Sequence, residues 1–549
     1  MTTACFVFWK VLDEACGRSV KRYADRERKD VMIKAERIFS DRMILQREMP
    51  ISVWGECEGI CGMQVALADV QVEGEITAGR FLAVLPAFPA AVGLTLEIRG
   101  VTVSGEEETI RFNDVAVGEV WIAAGQSNME FPIKYDVEAE EIYRMPEDEE
   151  LRFFDVPKVC YDGQEQEEGF VDLCFWRHFN RENAGQFSAA ALFFARKIRE
   201  ELRVPVGIVG CNWGGTSASC WMGEAYLREY PELAYYPDTY EETLKNLDLN
   251  RYREAYYERL RFGNTPRMKA LNEAIARGTL EYEKMQELMT NLTPRQKELF
   301  SLPAGPLAHT RPCALFERMV KRIAGYGTKG VLWYQGESDE VLPDSYTLLF
   351  SQLIRCWRES WGRKLPFLFV QLAPFGRWLT DTGKAFPVLR RQQQRAEDLL
   401  EDVWMASIMD HGMEYDIHPK TKRAAGERLA LLALGKVYGR KLLCEAPRMA
   451  DVRWEQEQIT IYMAHAGDGL ECRSKKPAGL ILWEDGVQKE FTAKIMDCRI
   501  LIRCSKLGAD SRVQVSYAQQ PYVKADLYNS AGLCAKPFVA VRPFEGAME

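Results

Sequence analysis

GEVWIAAGQSNM, residues 118–129, opens as an unbroken apolar run and breaks off at Gly125 into Gln126, Ser127 and Asn128. An apolar run without alternation marks a strand covered on both faces, as in a parallel sheet. The polar break has three readings. It is an ordinary turn, a helix N-cap at Ser127 or Asn128, or a serine presented at the end of a strand for chemistry.

Working outward, four further runs share the character of EVWIAA (119–124): VGIVG (206–210), GVLWYQ (330–335), PFLFVQL (366–372) and DVWMASI (402–408). Amphipathic stretches separate them, such as SAAALFFARKIREEL (188–202) and SYTLLFSQLIRCWRESW (345–361). Strands alternating with helices predict a parallel α/β sheet. From about residue 222 to 308 the alternation lapses into a Tyr-, Glu-, Leu- and Arg-rich helical insertion. Residues 37–113 carry short alternating runs punctuated by Gly and Pro, and residues 441–549 return to that pattern, so an all-β module is expected on each side of a core at 114–440. Residues 1–36 form a charged extension, with Met32 as an alternative start.

Composition narrows the function. The 549 residues are 47% hydrophobic and 28% charged, with a net charge of −9. That is a globular balance with no basic stripe, which argues against nucleic acid. No apolar run approaches the ~20 residues of a membrane helix. FVFWKVL near the start lacks a basic lead-in, so the expected location is cytoplasmic. The 15 cysteines show no close ligand spacing, and Cys57 and Cys61 have no histidine nearby. They read as reduced, mostly buried thiols, and no metal or cofactor is expected. Oligomeric state is not readable.

In an open parallel sheet, ligands bind beyond the carboxyl ends of the strands. Those ends supply GQSNM, then Trp213-Gly214-Gly215-Thr216, then Gln335-Gly336-Glu337, and finally Asp410, His411, Glu414, Asp416 and His418. Of five histidines, only His411 and His418 follow a core strand. Pro419 holds His418 extended, which suits a projecting loop. A serine hydroxyl needs a base. Imidazole is suited to that role, and a carboxylate fixes its tautomer. The backbone N–H groups of Ser127 and of Gly214 or Gly215, with the Gln335 amide, are candidate oxyanion donors. Each block alone is a cap, a turn or a loop; their joint placement at strand ends points to a serine esterase.

GEVWIAAGQSNM, WGGTSASCW, GVLWYQGESD and DIHPKTKRAAGERLA resemble the sialate O-acetylesterase family of SGNH (GDSL-like) hydrolases. The resemblance runs from about Ile38 to Pro543. It implies a flavodoxin-like three-layer α/β/α core, hydrolysis of O-acetyl esters on sugars, and no metal. By position it makes Ser127 the nucleophile and His418 the base, with Gly215 or Gly214 and Gln335 in the oxyanion hole. The superfamily's Asp-x-x-His spacing is here Asp416-Ile417-His418, which demands a tight loop. Asp416 is the expected acid, Asp410 and Glu414 are reserves, and a Ser–His pair helped by a backbone carbonyl is a further arrangement. Gln126, Asn128, Trp213, Glu337, Arg311 and Arg390 are candidate substrate contacts, the arginines for a sialate carboxylate; salt bridges and core packing are their bland alternatives. Three rival readings remain: an esterase for acetylated xylan, an inactive carbohydrate-binding protein, and a cysteine amidase using Cys211 or Cys220.

Overall fold

The computed structural model describes residues 32–167, 170–379 and 381–543. The expected N-terminal extension lies outside them except for its last residues, Met32 to Glu36.

One strand organises the molecule. Glu107–Gly125 alternates exposed and half-buried residues over its first eight positions and is buried throughout its last eleven. The first half pairs antiparallel with Ala91–Thr102, the last strand of the N-terminal β region. Strands of that region show the alternation of a sheet with one covered face, as in Arg80–Leu85. The second half of Glu107–Gly125 is a core strand, paired in parallel with Val206–Asn212 on one side and Gly330–Tyr334 on the other. Gly330–Tyr334 continues to Phe367–Val370 and then Val403–Ala406, all parallel.

Numbered along the chain, the five expected strands lie in the order 2-1-3-4-5. The order reverses at the first strand, which is where such sheets open a crevice. A sixth parallel strand, Asp148–Asp155, pairs with Val206–Asn212 and was not foreseen. Its sequence, DEELRFFD, opens with three acidic residues, and only its second half is buried.

Helices Ala189–Leu202 and Arg423–Leu432 pack on each other, as do Tyr346–Trp361 and Phe386–Leu399. Between the second and third core strands lie six helices from Glu224 to Phe300. Two of them, Pro266–Arg277 and Pro294–Phe300, start with proline behind a threonine whose side chain accepts a backbone N–H. Proline suits that position because its missing N–H would be unpaired there anyway. After residue 447 the chain forms two four-stranded antiparallel sheets, with a second hydrophobic cluster around Ile459, Leu482, Ile500 and Val515. Among the described residues no helix is long and apolar enough to cross a membrane. All described cysteines are free thiols.

Candidate active site

Gly125 ends the first core strand at φ +133°, and a Cβ there would lie 2.2 Å from the Tyr334 carbonyl oxygen. Only glycine lets the chain turn this close to the neighbouring strand. It turns at once into the short helix Ser127–Glu130. Ser127 is thus the first residue of a helical turn, and its backbone N–H has no partner within that helix.

The loop after the last core strand brings His418 to the same place. His418 Nε2 lies 2.9 Å from Ser127 Oγ. Both residues are buried, at 1% and 2% exposure. The edge of the imidazole meets Trp378, 5.2 Å between ring centres at 86°. Burial pushes the His418 pKa down to about 4; Asp416 counters this, and the Lys420 and Lys422 charges reinforce it. The imidazole is therefore neutral near pH 7 and able to accept a proton.

Asp416 solves the short spacing by folding back. Its Oδ1 accepts the backbone N–H of His418 at 2.8 Å and lies 3.4 Å from His418 Nδ1. A carboxylate bonded to the backbone two residues on is an Asx turn, the tight loop this spacing requires. Its other oxygen contacts Lys420 Nζ at 2.7 Å. Burial alone would raise the Asp416 pKa, but the His418 hydrogen bond and the Lys420 charge bring it below the usual carboxylate range. The reserve acids stand elsewhere. Asp410 is gripped by both Arg428 terminal nitrogens, at 2.7 and 2.8 Å, and contacts His411. The Glu414 backbone carbonyl accepts the Arg377 N–H at 2.8 Å.

The double-glycine loop flanks the serine, with the Trp213 N–H bonded to the Gly125 carbonyl at 3.0 Å. Here the arrangement differs from expectation. The Gly214 N–H donates to Glu130 Oε2 at 2.6 Å, so it is already engaged. Gly215 follows at φ +75°, the left-handed region that favours glycine. The Gln335 amide is also spent within the fold. Its Nε2 donates to the Thr216 carbonyl at 3.0 Å and to Asp339, and its Oε1 accepts from Tyr346. The amide is wholly buried and bonded on both its nitrogen and its oxygen.

The expected substrate contacts divide. Gln126, Asn128 and Glu337 are buried. Gln126 Oε1 accepts the Ser338 N–H at 3.2 Å. Asn128 donates to Glu337 and to the Ile417 carbonyl, while its own oxygen accepts from Lys422 Nζ at 2.7 Å. Asn128 thus ties the serine turn to the histidine loop, while Gln126 and Glu337 tie it to the loop after the third core strand. Arg390 is a correction of the same kind: it is buried and donates to the Gln520 and Pro521 carbonyls, tying its helix to the C-terminal β region. Arg311 is half-buried and donates to the Cys160 carbonyl at 2.7 Å. Trp213 stacks flat on His309, with ring centres 4.5 Å apart.

Several residues at the site were not foreseen. Glu130, three positions after Ser127, reaches the double-glycine loop. Lys422 is wholly buried, bonded to Asn128 and the Pro419 carbonyl, with its ammonium 4.5 Å from the centre of the Phe131 ring. Burial and Lys420 push its pKa down to about 7, and burial pushes that of Glu337 up to about 7. His309, one residue past the expected insertion, contacts the Gly214 carbonyl through its ring Nε2. Cys211 and Cys220 are buried, and burial pushes both thiols up, away from the reactive thiolate. Among the described residues no group of three or more His, Cys, Asp or Glu side chains is arranged to hold a metal ion.

Residues 307–434 match the family model for carbohydrate esterase, sialic acid-specific acetylesterase. The mouse sialate O-acetylesterase is 26% identical over 359 residues, covering 61% of this chain and 59% of that protein. The human sialate O-acetylesterase is 25% identical over 360 residues, covering 61% of this chain and 56% of its own. The matched part therefore spans less than two thirds of either relative. A solved carbohydrate acetylesterase from Xanthomonas citri superposes with a TM-score of 0.69 at 26% identity, over 92% of this chain and 99% of that chain.

Proposed function

We propose that this chain belongs to the carbohydrate esterase, sialic acid-specific acetylesterase family and is a serine esterase that removes O-acetyl groups from sugars. The observation that carries the reading is the 2.9 Å contact between Ser127 Oγ and the buried His418 Nε2.

Ser127 Oγ attacks the acetyl carbonyl carbon while His418 Nε2 takes the hydroxyl proton. Asp416 orients the ring and stabilises the imidazolium. The carbonyl oxygen becomes an oxyanion, received by the backbone N–H groups of Ser127 and Gly215. The tetrahedral intermediate collapses as the sugar oxygen leaves and takes the proton from His418. Water then attacks the acetyl-enzyme, His418 removes its proton, and acetate departs with Ser127 restored. No step calls on a cofactor.

Sialate is the proposed acetyl carrier, because the mouse and human relatives are sialate O-acetylesterases. The core is read as three layers, the parallel sheet between the two helix pairs, within a catalytic domain at about 114–440 flanked by β modules at 37–113 and 441–549. Acetate release from O-acetylated sialic acid and from acetylated xylo-oligosaccharides, measured side by side with p-nitrophenyl acetate, tests both activity and carrier. Activity is expected in the wild type and lost in Ser127→Ala. A folded wild type that releases no acetate from any of the three would leave a carbohydrate-binding protein in its place.

A further inference from the structure

Glu130 belongs to the same four-residue helix as Ser127. This glutamate is 7% exposed, and a buried charge is costly unless well paired. One oxygen meets Lys158 Nζ, and the other accepts the Gly214 N–H at 2.6 Å. On the far side of Gly214, its carbonyl oxygen lies 3.1 Å from His309 Nε2. A carbonyl can only accept, so Nε2 carries the proton. The His309 ring is in turn fixed by its flat stack on Trp213, 10° between planes.

Both peptide groups around Gly214 are therefore pinned. Glu130 holds the N–H of the first, and His309 holds the C=O of the second. The described chain has no cis peptide bond, so the Gly215 N–H points opposite to the Gly214 carbonyl and away from His309. The Gly214 N–H is itself occupied, which leaves the Gly215 N–H as the donor from this loop.

We propose that Glu130 and His309 are positioning residues that set the Gly215 N–H as an oxyanion donor at a fixed offset from Ser127. The coupling is short: the helix carrying the nucleophile also carries the carboxylate that holds the donor loop. The proposal rests on the serine-esterase reading and adds to it which N–H acts and what holds it.

The test compares Glu130→Ala, Glu130→Gln and His309→Phe, using p-nitrophenyl acetate kinetics and the affinity of an arylboronic acid that forms a tetrahedral adduct on Ser127. Losing one oxyanion donor costs about 10²–10³-fold in kcat. Glu130→Ala is expected to approach that loss, with KM within a fewfold of wild type and boronate affinity falling in parallel. Glu130→Gln keeps an oxygen for the Gly214 N–H and should recover most of the rate. His309→Phe keeps the stack on Trp213, removes the hydrogen bond and should fall between. If Glu130→Ala does not fold, the other two variants carry the test. The proposal is overturned if His309→Phe and the folded Glu130 variants keep kcat and boronate affinity within twofold of wild type. It is also overturned if kcat falls while boronate affinity stays. Absence of wild-type turnover would instead remove the esterase reading.

Discussion

Lys420 Nζ lies 2.7 Å from Asp416 Oδ2, on the carboxylate oxygen that His418 does not use. The same ammonium donates to the Ile275 carbonyl at 3.2 Å, near the end of the helix Pro266–Arg277 in the inserted segment. The end of a helix presents unpaired carbonyls and partial negative charge, so a lysine is favourable there. One buried side chain thus joins the insertion to the acid behind the histidine.

Lys420 is one of the charges that hold the His418 pKa down, so removing it should move that pKa up. In the proposed mechanism a neutral imidazole is the active form, and the acid limb of kcat/KM reports its pKa in the free enzyme. In the wild type that limb is expected near pH 4. In Lys420→Met it should shift upward, by about one unit. A pH–rate profile on p-nitrophenyl acetate measures it. A limb that stays in place or moves downward would show that Lys420 does not act on the imidazole.

Asp416→Asn separates the two tasks of this carboxylate. The amide oxygen can still accept the His418 N–H, so the tight loop should survive. The charge that stabilises the imidazolium in the proposed mechanism is lost. Removing a triad carboxylate can cost up to about 10⁴-fold in kcat where its contact with the histidine is close. Here 3.4 Å separates the pair, so a smaller loss, roughly 10²–10³-fold, is expected. Steady-state kinetics with a parallel melting curve checks this, the melting temperature staying within a few degrees of wild type.

The fold was legible in the sequence where burial dictates composition. The five core strands are covered on both faces and announce themselves as apolar runs. Asp148–Asp155 was missed because its acidic first half reads as surface. The glycine at 125 and the polar residues after it were legible because a turn this tight leaves few choices. What could not be read was which polar groups turn inward. Lysine is almost never buried unpaired, so nothing in DIHPKTK marks Lys420 and Lys422 as interior residues. Nor does sequence separate Gly214 from Gly215, since the distinction comes from the reach of Glu130, a residue distant in the chain.

Lys422 makes stability depend on alkaline pH. Unfolded, a lysine binds its proton below about 10.5, whereas in the fold burial lowers that threshold to about 7. Between these values the unfolded chain holds more protons than the folded one, so stability should rise with pH across the window. Lys422→Met removes this contribution and should flatten the rise. It also leaves the Asn128 oxygen and the Pro419 carbonyl without their donor, a cost of about 1–3 kcal/mol for each group left unpaired. Urea unfolding at pH 7.5 and 9.5 for both proteins gives the comparison. An equal slope in the variant would assign the pH dependence to another group.

Arg390→Met tests whether this buried arginine serves structure or substrate. Burial, reinforced by the Arg391 charge, pushes the Arg390 pKa down to about 9, and no carboxylate contributes to the shift. Its partners are the Gln520 and Pro521 carbonyls, at the junction where the Phe375 N–H also bonds Pro521. Methionine fills much of the volume but donates nothing. The loss is expected to cost about 1–3 kcal/mol, from the Gln520 carbonyl left without its donor while Pro521 keeps the Phe375 N–H, offset in part by sparing a buried charge. Kinetics at a temperature where the variant stays folded should then show kcat and KM unchanged, for an O-acetylated sialic acid as for p-nitrophenyl acetate. A KM that rises only for the carboxylated sugar would place Arg390 in the substrate site after all.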